Sequence, residues 1–402
     1  MKTALRPLLI RSGKGACLFA EDGKSYIDAC SSWWVNLHGH AHPYIAERIA
    51  AQAHTLEQVI FADCIHPPAL ELTNRLLPLL PGRMEKIFFT DNGSTATEAA
   101  LKIALQHGYN RYGASHPKKV VCIKGSYHGD TLGALAAGGK TALNRPFWGH
   151  LYEAHTLELN SAPEQMAQIL AEGGVACFIY EPIVFGTAGM VIYSSELLNS
   201  LLRLCREAGV LTIADEALTG FGRIGPLFAS DTVTEKPDII CLSKSLTGGF
   251  LPFGITACTQ EVYAPFHSNE RQKAFLHGHS YCGNPLGCAA TLANLDLLLD
   301  SRCTEQRQRI AASHRNFASK IGHHPKLSRC ETLGTLLVLE FKSHDRGYFS
   351  SLRDQLFHFC LERGVLFRPL GNVFYVLPPY CTTQEELQQI NQTLEECLTW
   401  IA

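Results

Sequence analysis

Six short apolar runs alternate with helix-length segments between Lys86 and Glu261: K-I-F-F-T, K-V-V-C-I-K, A-C-F-I-Y-E, L-T-I-A-D-E, D-I-I-C-L-S-K and G-I-T-A-C-T. Each run is too short for a helix and shows no polar face, so it reads as a strand buried on both sides. Buried strands separated by helices predict a mostly parallel sheet covered on both faces, an α/β arrangement. At 402 residues the chain exceeds what one small core organises, and two domains are expected. Residues 16–28 read as a hairpin on the Asp22-Gly23 turn, and residues 43–55 as a helix. After Asn284-Pro285 come long helices near 286–300 and 303–320, a strand G-T-L-L-V-L-E-F, a helix, and a second hairpin through V-L-F-R-P-L-G-N-V-F-Y-V-L. A closing helix follows Thr383, with Thr383 and Glu386 spaced as a capping box. The expectation is a large domain over residues 50–290 and a small α+β domain built from residues 1–49 and 291–402.

Two of the buried strands end on charged residues, Asp215 in L-T-I-A-D-E and Lys244 in D-I-I-C-L-S-K. A buried strand does not end on a charge without a use for it, and strand C-termini in α/β proteins are where ligands bind. An amine and a carboxylate so placed suit pyridoxal phosphate (PLP). The lysine condenses with the cofactor aldehyde, and the aspartate keeps the pyridine nitrogen protonated so that the ring accepts electrons. The strand K-I-F-F-T runs into D-N-G-S-T, putting Gly93, Ser94 and Thr95 at a helix start, which reads either as a phosphate cradle or as an N-cap with a turn glycine. Tyr127, after K-V-V-C-I-K, is placed to stack on a pyridine ring, or else sits at a core rim. His128 reads as a structural hydrogen-bonder rather than a base.

Gly278, His279 and Ser280, in H-G-H-S-Y-C-G-N-P, read as a loop that reaches a phosphate; the two histidines lack ligand partners at metal spacing, so no metal is expected. Arg368 stands in an apolar context, where it either pairs with an internal acid or binds an anionic substrate. Trp33 and Trp34 are adjacent and cannot share one face of a strand, so one of them walls a substrate tunnel or both pack at a seam.

Composition narrows the classes. Hydrophobic and charged fractions of 46% and 18% are those of a globular protein. A net charge of −2 leaves no broad footprint for nucleic acid or an anionic membrane. The 15 cysteines form no C-x-x-C pair and follow no secretory signal, which predicts reduced thiols in a cytoplasmic protein. No apolar run reaches the roughly 18 residues of a membrane span. A dinucleotide-dependent dehydrogenase would need G-x-G-x-x-G after its first strand, and none is there.

The segments A-D-E-x-x-T-G-F-G-R, S-K-S-L-T-G-G and H-G-H-S-Y-C-G-N-P resemble those of class III (ω-type) aminotransferases, and the likeness covers nearly the whole chain. Three further segments, S-S-W-W, Y-H-G-D-T and R-P-L-G-N-V-F-Y-V-L-P-P-Y, resemble the branch that aminates 8-amino-7-oxononanoate in biotin synthesis; relatives with other substrates usually carry Arg in place of Asp130. The resemblance implies PLP fold type I, like aspartate aminotransferase. It implies that Gly93 and Ser94 bind the phosphate, Tyr127 stacks on the ring, Asp215 pairs with the pyridinium and Lys244 is the PLP lysine. Gly278, His279 and Ser280 would complete the site from the partner of an obligatory homodimer. Trp33 and Tyr375 would line the substrate channel, and Arg368 would hold the substrate carboxylate. Ala217 stands where members carry Val or Ile under the ring, which leaves that face less filled. The family's opening H-x-W-H-P-[YF] segment has no counterpart in this sequence, so the donor is left between adenosylmethionine and lysine. An ω-aminotransferase for ornithine, 4-aminobutyrate or a diamine is the alternative within the class, and a non-catalytic PLP-binding regulator the alternative outside it.

Overall fold

The computed structural model describes residues 7–345, 347–348 and 350–400. It divides into a central unit, Arg48–Leu292, and a terminal unit made of Met1–Glu47 and Ala293–Ala402.

The central unit is built on a seven-stranded sheet in the order Met84–Thr90, Gly254–Thr259, Ile239–Leu242, Leu211–Asp215, Val175–Tyr180, Lys119–Ile123 and His155–Leu157. All strands run parallel except Gly254–Thr259, which is antiparallel to both neighbours. The apolar runs at the middle of the sheet are buried throughout, as Val175–Tyr180 and Ile239–Leu242 show, which is why they carry no alternation, whereas Ile87 and Phe88 of the edge strand are half-buried. The edge strand His155–Leu157 has three residues, too few to leave a periodic signal. Helix Gly93–Tyr112 covers one face of the sheet with Ala96, Ala100, Ile103 and Ala104, packed with Val120, Cys122, Ile179, Ile213 and Cys241. Alanines on the contact stripe bring the helix close enough for Thr256 Oγ1 to donate to Ala96 O at 2.7 Å. Each large side chain buried here stabilises the unit by roughly 1.5–3 kcal/mol.

The terminal unit holds two small sheets. One orders Ile10–Lys14, Cys17–Ala20, Ser25–Asp28 and Val365–Leu366; the other orders Leu327–Leu333, Leu336–Phe341 and Val373–Val376. The hairpin on Asp22-Gly23 is present, with Cys17 opposite Ile27 and Gly23 at φ +83°. The second expected hairpin is not. Val365–Leu366 pairs in parallel with Ile27 and Asp28, whereas Val373–Val376 pairs antiparallel with Leu337–Glu340 in the other sheet. Pro369 has no N–H to give a ladder, and Gly371 at φ +66° closes a tight turn bridged by Leu370 and Val373, so the chain switches sheets there. The core joins Ile27, Phe317, Leu337, Phe341, Leu356, Phe367, Phe374, Ile390 and Leu394. Helices Ser301–Ile321, Leu352–Leu361 and Gln384–Trp400 contribute to it. The last begins at the expected box: Thr383 N donates to Glu386 Oε2 at 2.7 Å and Glu386 N to Thr383 Oγ1 at 3.2 Å. All 15 cysteines are free thiols. Among the described residues no helix is long and apolar enough to cross a membrane.

Candidate active site

Four neighbouring parallel strands of the central sheet deliver polar groups at their C-terminal ends. Leu211–Asp215 ends on Asp215, Ile239–Leu242 is followed by Ser243 and Lys244, Val175–Tyr180 by Glu181, and Lys119–Ile123 by the loop with Tyr127 and His128. Asp215 Oδ2 accepts from His128 Nδ1 at 2.9 Å, and Asp215 Oδ1 from Ala217 N at 3.1 Å. Glu181 accepts from Tyr127 N and from Gly186 N, both at 2.9 Å. Burial pushes the Glu181 carboxyl up to about 7, with Asp215 adding to the rise and His128 opposing it. Lys244 sits in the left-handed region at φ +46°, a strained conformation for a side chain-bearing residue. Burial lowers its amine below the ordinary lysine range, while Asp215 and Glu181 hold it back. A lowered lysine amine gives up its proton more readily than an exposed one, the direction that proton transfer favours.

Helix Gly93–Tyr112 is capped by Asn92, whose side chain accepts from Thr95 N at 3.0 Å while Thr95 Oγ1 accepts from Asn92 N at 3.2 Å. Thr95 is thus spent on the cap, which is the N-cap reading of D-N-G-S-T. Gly93 N–H and Ser94 N–H have no acceptor among the described residues. A Cβ on Gly93 would lie 3.5 Å from Ser243 Cβ and 3.7 Å from Ala217 Cβ, so the helix start, the Lys244 turn and the Asp215 turn converge. Ser94 Oγ accepts from Asp130 N at 3.0 Å; Gly129, at φ +126°, permits this approach, since a Cβ there would overlap Ser94. Tyr127 Oη donates to Asp130 Oδ2 at 2.7 Å.

Other expected residues lie elsewhere. Gly278, His279 and Ser280 form an exposed loop of the central unit. His279 Nε2 lies 3.6 Å from Asp91 Oδ1, beside the cap, and Gln58 Nε2 donates to Ser280 O. None of the three is bonded to the Asp215, His128 and Glu181 cluster. Trp33, Arg368 and Tyr375 belong to the terminal unit. Tyr375 is buried against Trp34, ring centroids 5.8 Å apart. Trp33 is 39% exposed, and the Arg368 guanidinium lies 3.6 Å over its ring. The two tryptophans are on no strand: Ser31–Trp34 is a turn with φ of 50°, 47°, 69° and 76° at its four positions. Left-handed backbone costs L-residues roughly 1–2 kcal/mol each.

Glu181 and the role of His128 escaped sequence reasoning. Glu181 carries the signal that exposed Asp215 and Lys244, a charge ending a buried strand. His128 is buried, and its Nε2 has no partner among the described residues, which a loop position does not disclose.

A desolvated lysine, a carboxylate aimed by a histidine, and two free N–H groups at a helix start fit the aldehyde, pyridine nitrogen and phosphate of PLP. The sequence profile of the Aminotransferase class-III family matches residues 2–398. The chain is 44% identical to the adenosylmethionine-8-amino-7-oxononanoate aminotransferase of Synechococcus elongatus, over 99% of this chain and 96% of that protein. The crystal structure of the Methanocaldococcus jannaschii protein of the same name superposes with a TM-score of 0.93 at 31% identity, covering 98% of this chain and 93% of the other. An amine transaminase from an uncultivated Pseudomonas species, solved in its PLP-bound form, gives a TM-score of 0.90 at 25% identity over 98% of this chain and 95% of that one. Motif, fold and site geometry therefore agree, and the chain belongs to the class-III aminotransferases, enzymes of PLP fold type I that use pyridoxal phosphate.

Proposed function

We propose that this aminotransferase converts 8-amino-7-oxononanoate to 7,8-diaminononanoate in biotin synthesis, with adenosylmethionine as amino donor and lysine as the alternative donor. The observation that carries the substrate reading is Arg368. Its guanidinium lies on Trp33 and has no ion partner among the described residues, so its edge is open to a carboxylate. The shared name of the two relatives supports the same substrate.

PLP, when bound, supplies an aldehyde that holds the amino group between two half-reactions and a ring that accepts electrons from the broken Cα–H bond. Lys244 Nζ would take the proton from the donor Cα and deliver it to the cofactor's aldehyde carbon within the same half-reaction, and would carry a proton the opposite way, to the acceptor carbon, in the second. Asp215 would pair with the ring nitrogen, and His128, donating through Nδ1, holds that carboxylate in orientation. Gly93 and Ser94 would bind the phosphate, Tyr127 would stack on the ring, and His279 and Ser280 would complete the phosphate site from the partner of a homodimer. Gly278, Trp33 and Tyr375 line the substrate path. Fifteen free thiols suit a reducing compartment, and the enzyme is assigned to the cytoplasm.

The test adds adenosylmethionine, lysine, ornithine and 4-aminobutyrate singly to the holoenzyme while its visible cofactor band is followed. Loss of the band with adenosylmethionine or lysine, and recovery with 8-amino-7-oxononanoate, is expected. Bleaching only by ornithine or 4-aminobutyrate, without recovery by the oxo acid, would assign the enzyme to another ω-amino substrate.

A further inference from the structure

The left-handed turn that presents Trp33 is held by a buried polar network with no other evident task. Trp34 N and Val35 N donate back to Cys30 O and Ser31 O, both at 2.9 Å, giving one turn of left-handed helix. Four side chain-bearing residues persist in that conformation only where the surroundings over-determine it. Asp28, fully buried at the end of its strand, supplies the constraint: Oδ1 accepts from Cys30 N at 3.2 Å, and Oδ2 from Ser32 Oγ at 2.8 Å and from His40 Nε2 at 3.0 Å.

The state of His40 follows from its neighbours. Asn36 Oδ1 accepts from Gly39 N at 2.8 Å, so the amide nitrogen of Asn36 is the end that faces His40 Nδ1, at 3.0 Å. Nδ1 must accept, which puts the ring proton on Nε2, where it is donated to Asp28. The imidazole is seated by backbone too: His40 N donates to Gly15 O at 2.8 Å, and a Cβ on Gly13 would overlap the His40 side chain. Ser31 Oγ ties the turn to Leu377 O at 2.7 Å, just past the strand that carries Tyr375.

Resting on the reading of Arg368 as the carboxylate site, we propose that Asp28 and His40 are positioning residues for the amino acceptor, holding the Ser31–Trp34 turn left-handed so that the Trp33 ring backs the Arg368 guanidinium. A ring fixed there immobilises the guanidinium before substrate arrives and lowers the ordering cost of binding. The carboxylate of 8-amino-7-oxononanoate stands six carbons from its reacting carbonyl, whereas that of adenosylmethionine is bonded to the reacting Cα itself, so a clamp set for the remote carboxylate serves the acceptor half-reaction and not the donor one.

The test uses holoenzyme carrying His40→Ala or His40→Gln, with two readouts. One is the KM for 8-amino-7-oxononanoate beside the single-turnover rate of the donor half-reaction. The other is the near-ultraviolet circular dichroism of the Trp33 and Trp34 pair, whose rings stand 6.3 Å apart at 80°, isolated as the difference from Trp33→Phe. For His40→Ala the KM is expected to rise about tenfold, with the donor rate within about twofold and the tryptophan signal lost. His40→Gln, which can still donate to Asp28, recovers most of both. An unchanged tryptophan signal, a lost signal without a KM change, or equal losses in both half-reactions would each overturn the proposal. Should His40→Ala not fold, Ser32→Ala removes one hydrogen bond to Asp28 and is expected to raise the KM about threefold; no change there also overturns it. Arg368→Lys separates the underlying reading: it raises KM with the tryptophan signal intact, and an unchanged KM sinks the carboxylate assignment alone.

Discussion

In the central unit, Lys244, Asp215, Glu181 and Tyr127 each end or follow one of four neighbouring parallel strands, so the pairing that builds the fold also aligns the candidate site. The terminal unit works differently. There Trp33 and Arg368 meet through segments from opposite ends of the chain, and the contact depends on an irregular left-handed turn and on a strand that changes sheets. Regular structure places the residues to which the reaction chemistry is assigned, whereas irregular structure places those assigned to the substrate. A parallel sheet tolerates little variation in strand-end geometry, and loops between short strands tolerate much.

The sharpest way to break this contrast is Lys244→Ala. It is expected to lower turnover by about 10²–10⁴-fold, to leave melting nearly unchanged, and to abolish borohydride fixation of the cofactor on the protein, read by mass spectrometry. Retained turnover would remove the catalytic role from the central sheet. Next, Phe374→Ala in the terminal core and Phe178→Ala in the central core, both fully buried, should each cost about 3–5 kcal/mol. Hydrogen exchange is expected to report the loss only in the unit mutated; a loss spread equally over both would show that the units do not open separately.

The third comparison is by pH, on cofactor-free protein. Glu181 titrates in the folded protein near 7 rather than 4.5, so the fold holds its proton more tightly than the unfolded chain does. Its contribution to stability is complete below 4.5 and is lost as pH rises through 7. His314, buried in the terminal unit with Nε2 on Thr335 O, is pushed by burial from 6.5 to about 4. Its contribution is complete above 6.5 and is lost as pH falls through 4. Each spans on the order of 3 kcal/mol at its limit. Glu181→Gln should flatten melting temperature against pH on the neutral side and His314→Gln on the acid side; the reverse assignment would refute both. The smallest effect expected is from Arg368→Lys, about tenfold in KM for the oxo acid with kcat retained, because a lysine lacks the bidentate edge and stacks poorly on Trp33.

Much of the central unit was legible in sequence. Its apolar runs mark six of the strands, and D-N-G-S-T marks the helix start. The direction of Gly254–Thr259 was not legible, because G-I-T-A-C-T reads alike in either sense. Gly254 itself is explained only by the fold, where a Cβ would overlap Thr90 and Asn92. In the terminal unit the first hairpin was legible from Asp22-Gly23, and the second was misread because Val365–Leu366 and Val373–Val376 resemble paired strands while their partners lie elsewhere.

The sequence by itself determined where most strands and helices form, which charges end buried strands, and hence that an amine, a carboxylate and a helix start share one sheet edge. Those are properties of short windows, set by burial period, capping and turn chemistry. Only the tertiary structure decided that His128 orients Asp215, that Glu181 titrates near neutrality, that Arg368 lies on Trp33, and that Ser31–Trp34 winds left-handed. Each of these needs residues distant in sequence to be brought together and stripped of water, and desolvation and long-range contact exist only once the chain has closed on itself.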